Sequence, residues 1–356
     1  MKMIVRRTAL AVCTLVLALI LPTAASAACT GFDDVLESAD CYESVMYLAE
    51  REIAAGTGND CFSPEQLITV EQWAVMLCRA YGVETIGDSW QDVGRSSVVE
   101  AYRQGWLNET ALSAPRSPMC RSVLVESAFA AADIPVYDST LYEGGASLST
   151  ADNILRVGRE LGLCSDDTDT NALVTRGDAA IILHVVLTQS FRIEEPPVPV
   201  TLVNAAGVNV NDFLLELRKL PEQVLDAFNA AGWTYCIDFD YMGGLSKKLN
   251  MSCIGATNYS RKTIYISEAS ATLHEFGHFL DWTLGFPAEH EQLFRAEAAA
   301  APLRNYAKTN AREYFADCFA YWVKYAENAN AISLLQECAP MTYRYMEDLM
   351  RIANRL

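Results

Sequence analysis

Two histidines four residues apart, set in an apolar stretch, constrain the fold of this chain more than any other feature. Residues 272–281 contain His274, Glu275 and His278. Positions i and i+4 share one face of an α-helix, so both imidazoles can reach one metal ion, with Glu275 beside that face. The remaining large side chains are apolar, which predicts a buried helix: Leu273, Phe276, Phe279 and Leu280. A buried histidine pair needs a polar partner, and a single catalytic Zn²⁺ fits that need.

A catalytic zinc site has three protein ligands and one open position, so a third ligand is expected elsewhere in the chain. Glu313 is our candidate, because it opens an amphipathic segment whose apolar residues predict a core-facing helix. Asp317 lies one turn further on the same side, where it can accept a ring N–H from a zinc-bound histidine. The other histidines are interpreted differently: His184 as a core residue of the N-terminal part, and His290 as a loop residue.

A tyrosine near the metal can donate a hydrogen bond to the oxyanion that forms during acyl transfer. Tyr306, seven residues before Glu313, is the candidate, and Tyr314 is the competing one. Glu275 is the predicted general base that takes a proton from the attacking water and passes it to the leaving amine.

This residue set resembles the catalytic domain of anthrax lethal factor and the related bacterial Pro-Pro endopeptidases, over about residues 205–345. The resemblance implies an α+β zincin-like domain with His274, His278 and Glu313 on Zn²⁺, Glu275 as base and Tyr306 as oxyanion donor. It also implies cleavage between two prolines of an extended, Pro-rich protein substrate. Asp317 stands where that family usually has glutamate, which shortens its reach.

The sequence next to the histidine helix predicts a small sheet. Residues 262–267 alternate and are rich in β-branched and aromatic side chains, as is typical of a strand. This strand is either an edge strand that pairs with the substrate backbone or an interior strand. A second strand is predicted within residues 233–239.

The N-terminal part contains a degenerate repeat of roughly 50–55 residues, which predicts an array of small helical units. Helices are expected at 42–52, 70–81, 98–105, 151–161 and 176–186, with a further one opening at Arg121. Thr69 and Thr175 directly precede apolar runs, so both are predicted N-caps.

The repeat resembles three S-layer homology modules over about residues 28–190. The resemblance implies an all-α pseudo-trimer that binds secondary cell-wall polysaccharide through a motif at a helix start. Thr175-Arg176-Gly177-Asp178 comes closest to that motif, and the second copy keeps Arg121 after Cys120. Arg121, Thr175 and Arg176 are therefore the candidate polymer-binding residues. Alternatively, the two arginines are ordinary exposed side chains.

Residues 1–27 are predicted to be a secretory signal peptide, with a basic start, a short apolar run and small residues before the cleavage site. Acylation of Cys29 as a lipoprotein is the alternative. Loss of three basic residues with the signal would change the net charge from −18 to −21. Such a charge disfavours nucleic acid and anionic membranes as partners. Ten cysteines would remain, and their even number in each half predicts disulfides within each half.

Residues 191–200 contain the features of a linker: two acidic residues followed by Pro196, Pro197 and Pro199. They predict a stiff spacer between the wall-binding part and a peptidase domain at 201–356. The bond between Pro196 and Pro197 is also a candidate site of self-cleavage. The predicted protein is thus a secreted, wall-associated zinc endopeptidase that acts on surface proteins. The alternative is a non-catalytic wall-binding protein with an inactive metallopeptidase domain.

Overall fold

The computed structural model of this chain describes residues 31–165 and 169–353. The predicted signal peptide and Cys29 lie outside these residues. The chain divides into two compact units between Glu195 and Pro196, with residues 140–145 grouped with the second unit. Within the described residues, no helix has the length and apolarity needed to span a bilayer.

The regular elements described for the first unit are all helices, and they follow the repeat. They are α1 Tyr42–Glu50, α2 Val70–Ala80, α3 Trp90–Arg103, α4 Glu109–Ser113, α5 Arg121–Ala131, α6 Thr150–Glu160 and α7 Arg176–Thr188. The predicted N-caps are confirmed: Thr69 accepts from the Gln72 N–H in a capping box, and Thr175 accepts from the Asp178 N–H. One prediction is wrong, because α3 begins eight residues before position 98. Ser89 caps it by accepting from the Asp92 N–H, a signal that the apolar pattern did not carry.

The segments that lead into α2, α5 and α7 are joined in a closed ring of backbone hydrogen bonds. The N–H of Ile68 donates to the carbonyl of Val174, that of Val174 to Met119, and that of Met119 to Ile68, at 2.9, 3.0 and 2.9 Å. Each of these residues stands two positions before the first residue of its helix. These hydrogen bonds therefore link equivalent positions of the repeat. They also provide partners for backbone N–H and C=O groups that lie outside the helices.

The second unit packs helices around one small mixed sheet. The strands are β1 Leu202–Asn204, β2 Thr234–Ile237, β3 Gly255–Asn258 and β4 Thr263–Ile266. The helices are α8 Asn211–Arg218, α9 Glu222–Ala230, α10 Phe239–Leu249, α11 Thr272–Thr283, α12 Ala288–Glu297, α13 Ala311–Lys324, α14 Ala329–Cys338 and α15 Pro340–Ala353. The strand order is β1-β2-β4-β3, parallel except for β3, which pairs antiparallel with β4.

Both predicted strands are present as β2 and β4, but β4 is an interior strand. Of the two alternatives for residues 262–267, the interior strand is confirmed and the substrate-pairing edge is wrong, because β3 forms the edge on that side. The alternation in this segment reflects burial of one face, since Ile264 and Ile266 are fully buried. An alternating pattern reports one buried face and does not report whether both backbone edges are paired.

The histidine helix α11 lies at the centre of this unit, and every residue from Thr272 to Asp281 is buried. Phe276 and Phe279 pack against Phe228 with ring centroids 4.8 and 5.1 Å apart, and Phe279 packs on Trp233 at 5.2 Å. The predicted burial of this helix is thus confirmed. Its apolar face anchors it against the sheet layer, while its histidine face points toward α13.

The disulfides expected from the cysteine count are not found among the described residues. The nine described cysteines are all free thiols: Cys41, Cys61, Cys78, Cys120, Cys164, Cys236, Cys253, Cys318 and Cys338. Several belong to the core, since Cys78 and Cys318 are fully buried. Burial raises the pKa of the Cys78 thiol to about 11, so this side chain behaves as a small apolar residue.

Candidate active site

Two imidazole nitrogens and one carboxylate oxygen converge between α11 and α13. Nε2 of His274 lies 3.1 Å from Nε2 of His278 and 3.1 Å from Oε2 of Glu313. The distance from His278 Nε2 to the same carboxylate oxygen is 3.3 Å. Among the described residues, these three form the group of histidine, cysteine or acidic side chains that could hold a metal ion.

A glycine allows the two helices to bring these groups together. Gly277 lies between the histidines, and a Cβ added there would meet the backbone of Ala316 on α13, 2.6 Å from its Cα and 2.8 Å from its carbonyl oxygen. Only hydrogen fits at this position. The close approach of α11 and α13 sets the distance from the histidine pair to Glu313, which opens α13 under the cap of Asn310.

The donor set fits a zinc ion. Zinc takes nitrogen and oxygen ligands at about 2.0–2.2 Å, and the three ligand separations match the edges of a tetrahedron with bonds of about 2 Å. His274 and His278 lie at the same face of a buried helix with their Nε2 atoms facing each other. Two such lone pairs at this distance need a shared proton or a cation between them.

Glu275 lies in the same cavity, of about 740 Å³, and is held by a threonine. Oγ1 of Thr257 on β3 donates to Oε2 of Glu275 at 2.7 Å. A Cβ on the neighbouring Gly255 would come within 2.6 Å of the other oxygen, Oε1. The edge strand thus supplies both the hydrogen bond that orients this carboxylate and the space that it occupies. Neither residue was predicted from the sequence.

Asp317, one helical turn after Glu313, contacts His274 and is itself bound by an arginine. Oδ1 of Asp317 lies 2.7 Å from Nδ1 of His274, which orients the ring with Nε2 toward His278 and Glu313. Arg304 donates to both oxygens of Asp317 at 2.7 Å, a bidentate pair. Arg304 was not predicted from the sequence. It precedes Tyr306 by two residues, and no local pattern connects it to Asp317.

The electrostatics of this cluster favour charged groups. Burial alone would lower the pKa of His274, but its hydrogen bonds to Asp317 and Glu313 raise the pKa to about 9. Despite their burial, the same bonds to His274 hold the pKa values of Glu313 and Asp317 below the ordinary carboxyl range. A proton and a metal ion compete for the His274 lone pair, so metal binding must release this proton.

Tyr306 stands at the mouth of the cavity on a 3-10 turn spanning Asn305–Lys308. Its ring centroid is 6.1 Å from that of His274. The pKa of the Tyr306 phenol is raised to about 12, mainly by partial burial and to a smaller extent by the nearby carboxylates of Glu313 and Glu275. The phenol therefore keeps its proton. Tyr314, the competing candidate, is fully buried on the other side of α13 and bonds Thr342, away from the cavity.

The remaining histidines are not among the converging ligands. The prediction that His290 lies in a loop is wrong: it belongs to α12, and its ring joins a buried chain from Asp281 to Tyr345. Pro287 immediately before α12 and the acidic residues of its first turn are typical helix-start features. His184 lies on α7, where Nδ1 is 3.0 Å from the Ser44 hydroxyl.

The candidate polymer-binding residues have mainly internal partners. Arg121 forms an ion pair with Asp178 at 3.0 Å. Arg176 is buried and donates to the carbonyls of Phe62 and Ala55, so it is not an ordinary exposed arginine. It lines a cavity of about 560 Å³ in the first unit, and Thr175 serves as the cap of α7.

Family comparisons agree with this geometry. Residues 219–349 match the family described as anthrax toxin lethal factor, N- and C-terminal domain. This part of the chain is therefore similar to a lethal-factor-type domain. The predicted resemblance is confirmed, and residues 31–72 match the S-layer homology domain. Helices α11 and α13, which carry the candidate ligands, both lie inside this match.

One solved structure similar to this chain is the Pro-Pro endopeptidase PPEP-2 from Paenibacillus alvei. The similarity has a TM-score of 0.33 and 18% sequence identity, and covers 42% of this chain and 96% of the PPEP-2 chain. No curated protein matches the chain.

Proposed function

We propose that the lethal-factor-type domain is a zinc endopeptidase. The observation that carries the proposal is the convergence of His274, His278 and Glu313 at 3.1–3.3 Å beside a cavity that also contains Glu275. Two imidazoles and one carboxylate with an open side are the ligand set of catalytic zinc. A non-catalytic domain would not need an oriented, ionisable carboxylate next to that ligand set.

The residues divide the chemistry between them. Zinc at this site supplies Lewis acidity, which polarises a substrate carbonyl and makes water easier to deprotonate. Glu275, oriented by Thr257, accepts the proton of the attacking water and delivers it to the leaving amine. Tyr306, still protonated at neutral pH, donates to the oxygen that gains negative charge. Asp317 and Arg304 keep the His274 ring in the orientation that presents Nε2.

The substrate is an extended protein segment that lies along β3. Gly255, Ala256 and Thr257 of this strand line the cavity, and in the described part of the chain no other strand pairs with its outer edge. An extended peptide can add to such an edge through main-chain hydrogen bonds. A Pro-rich segment cut between two prolines is the finer proposal, which rests on the sequence resemblance to Pro-Pro endopeptidases.

A peptide library tests both levels of the proposal. Wild-type protein loaded with zinc is incubated with Pro-Pro and control peptides, with and without chelator, beside Glu275→Gln. We expect wild-type protein to cleave peptide only when metal is present. We expect Glu275→Gln to bind the same amount of zinc and to lose turnover. Full activity in Glu275→Gln would exclude this residue as the base. Turnover without any preference for Pro-Pro peptides would keep the peptidase and reject the specificity.

The first unit anchors the enzyme to the cell surface by binding wall polysaccharide, as its S-layer homology match supports. The closed ring through Ile68, Met119 and Val174 supports a pseudo-threefold arrangement of three modules. The cavity that Arg176 lines also contains the exposed Trp90, whose ring can pack on a sugar face. Trp90→Ala is expected to release the protein from purified walls, whereas Arg121→Ala is not.

The proposal also includes secretion after signal-peptide cleavage at residue 27. It further includes release of the peptidase domain by self-cleavage in the linker. Pro196 is buried and Pro197 exposed, and the carbonyl of Pro199 accepts from Asn229 at 2.9 Å. Cleavage between Pro196 and Pro197 therefore requires local opening of this segment. Mass spectrometry of active protein after long incubation tests it: no fragment beginning at Pro197 rejects self-release and leaves the peptidase standing.

A further inference from the structure

The cavity wall contains one arginine, which has no ion-pair partner among the described residues. Arg312 is the single lysine or arginine among the residues that line the cavity. No carboxylate in the described chain forms an ion pair with it. The acidic residues of the wall all have partners: Glu275 with Thr257, Asp281 with His290, Glu291 with Arg295, and Glu313 with the two histidines.

The position of Arg312 is unfavourable for the helix that carries it. It is exposed in the first turn of α13, where the positive end of the helix dipole disfavours a cation. The arginine therefore does not stabilise α13 through its charge. Its contact is with Phe286, whose ring centroid lies 4.2 Å from the guanidinium carbon.

Phe286, the aromatic partner of Arg312, has an uncommon backbone conformation. Its φ is +53°, a region that favours glycine, and the following Pro287 restricts its backbone further. Its N–H donates to the carbonyl of Asp281 at 2.9 Å, closing the end of α11. Tyr259 supports the ring edge-on at 5.5 Å. Strained backbone conformations persist only where the surrounding structure holds them, and they are found most often at functional sites.

We propose that Arg312, stacked on Phe286, is a specificity-determining residue that binds a carboxylate of the peptide substrate. The Phe286 ring covers one face of the guanidinium, and the N–H groups at its edge can bind a carboxylate with two parallel hydrogen bonds. The inference deepens the proposed peptidase function and rests on it. The carboxylate comes either from an internal Asp or Glu or from a free C-terminus.

A charge-swap series tests the inference. Peptides carry Glu, Gln or Lys at each position flanking the scissile bond, with free or amidated C-termini. Wild-type protein is expected to prefer one carboxylate-bearing set by about tenfold in kcat/KM over the lysine set, which corresponds to one unpaired charge at short range. Arg312→Glu reverses the preference toward Lys. Loss of the preference on amidation assigns it to the C-terminus, and its retention assigns it to a side chain.

Lys324→Gln is the matched control. Lys324 lies at the opposite end of α13, with its amine 5.5 Å from the Tyr325 ring, so it is the same kind of cation–aromatic pair outside the cavity. This variant should keep the wild-type preference. An identical substrate profile for wild type and Arg312→Glu would overturn the inference.

Binding separates this inference from the proposed function. Zinc-loaded Glu275→Gln protein is titrated with the same peptides by fluorescence anisotropy, with Arg312 intact or changed to Glu. If carboxylate peptides bind more tightly and this preference depends on Arg312, the inference is supported. If wild-type protein at the same time cleaves no peptide, only the proposed peptidase function is rejected. Equal binding of Glu and Lys peptides rejects the inference alone.

Discussion

Replacement of Gly277 by alanine tests the close contact that brings the two ligand helices together. The new Cβ would lie 2.6 Å from the Cα of Ala316, whereas carbon atoms pack at about 3.5–4.0 Å, so α11 and α13 must separate by roughly 1 Å. Alanine favours the helix by about 1 kcal/mol, and overpacking costs about 1–3 kcal/mol or more. We expect a net destabilisation of up to about 2 kcal/mol, or up to about 8 °C in Tm.

The effect on metal binding should exceed the effect on stability. His274 and His278 move with α11 and Glu313 with α13, and ligand distances in a zinc site tolerate about 0.2 Å. A separation of roughly 1 Å therefore breaks the three-ligand set, and zinc affinity should fall by about 100-fold or more. Competition with a chromophoric chelator measures the affinity, and thermal unfolding with and without zinc measures the stability.

Gly243→Ala is the control for this experiment. Gly243 lies in α10, and a Cβ there meets nothing within 4 Å. This change should raise stability by about 0.5–1 kcal/mol and leave zinc affinity unchanged. If Gly277→Ala matches it in both measurements, the helix contact does not set the ligand geometry, and our account of the site is wrong.

Three further predictions concern the residues around the metal ligands. Thr257→Val should lower kcat about tenfold with little change in KM, measured on a cleaved peptide, because Glu275 loses a charged hydrogen bond. Tyr306→Phe should lower kcat roughly 100-fold. Because the raised pKa of about 12 keeps the Tyr306 phenol protonated, the ratio of wild-type to variant rates should stay constant from about pH 6 to 9. Arg304→Gln should weaken zinc binding about 10–100-fold in chelator competition, while Lys308→Gln, on the same turn, should not.

The parts of the site that were predictable from sequence are those fixed by helix periodicity. His274 and His278, and likewise Glu313 and Asp317, are separated by four residues on one helix. This separation determines that each pair shares a face, whatever the rest of the fold does. The capped starts of α2 and α7 were predictable for the same reason, since the cap and its bond partner lie within three residues.

The remaining contacts depend on how separate elements are arranged in space. Thr257 reaches Glu275 because β3 turns back along β4 as the sheet edge, and the alternation in residues 262–267 did not specify that order. Arg304 reaches Asp317 across a turn that no periodic pattern describes. His290 was misplaced because Pro287 was interpreted as loop sequence, although proline is equally typical of a helix start.

The geometry of this site depends as much on two glycines as on its ligands. Gly277 allows α11 to lie directly on α13, and Gly255 leaves room for the Glu275 carboxylate beside β3. The histidine helix is thus confined from both sides, and a side chain at either glycine would move it relative to Glu313 or displace the base. A chain could keep the two histidines, both glutamates and Tyr306 and still lose either glycine. It would retain the sequence motif, but these side chains would no longer have the relative positions seen here. A complete motif therefore does not by itself give this geometry, which also needs the absence of a side chain at Gly277 and at Gly255.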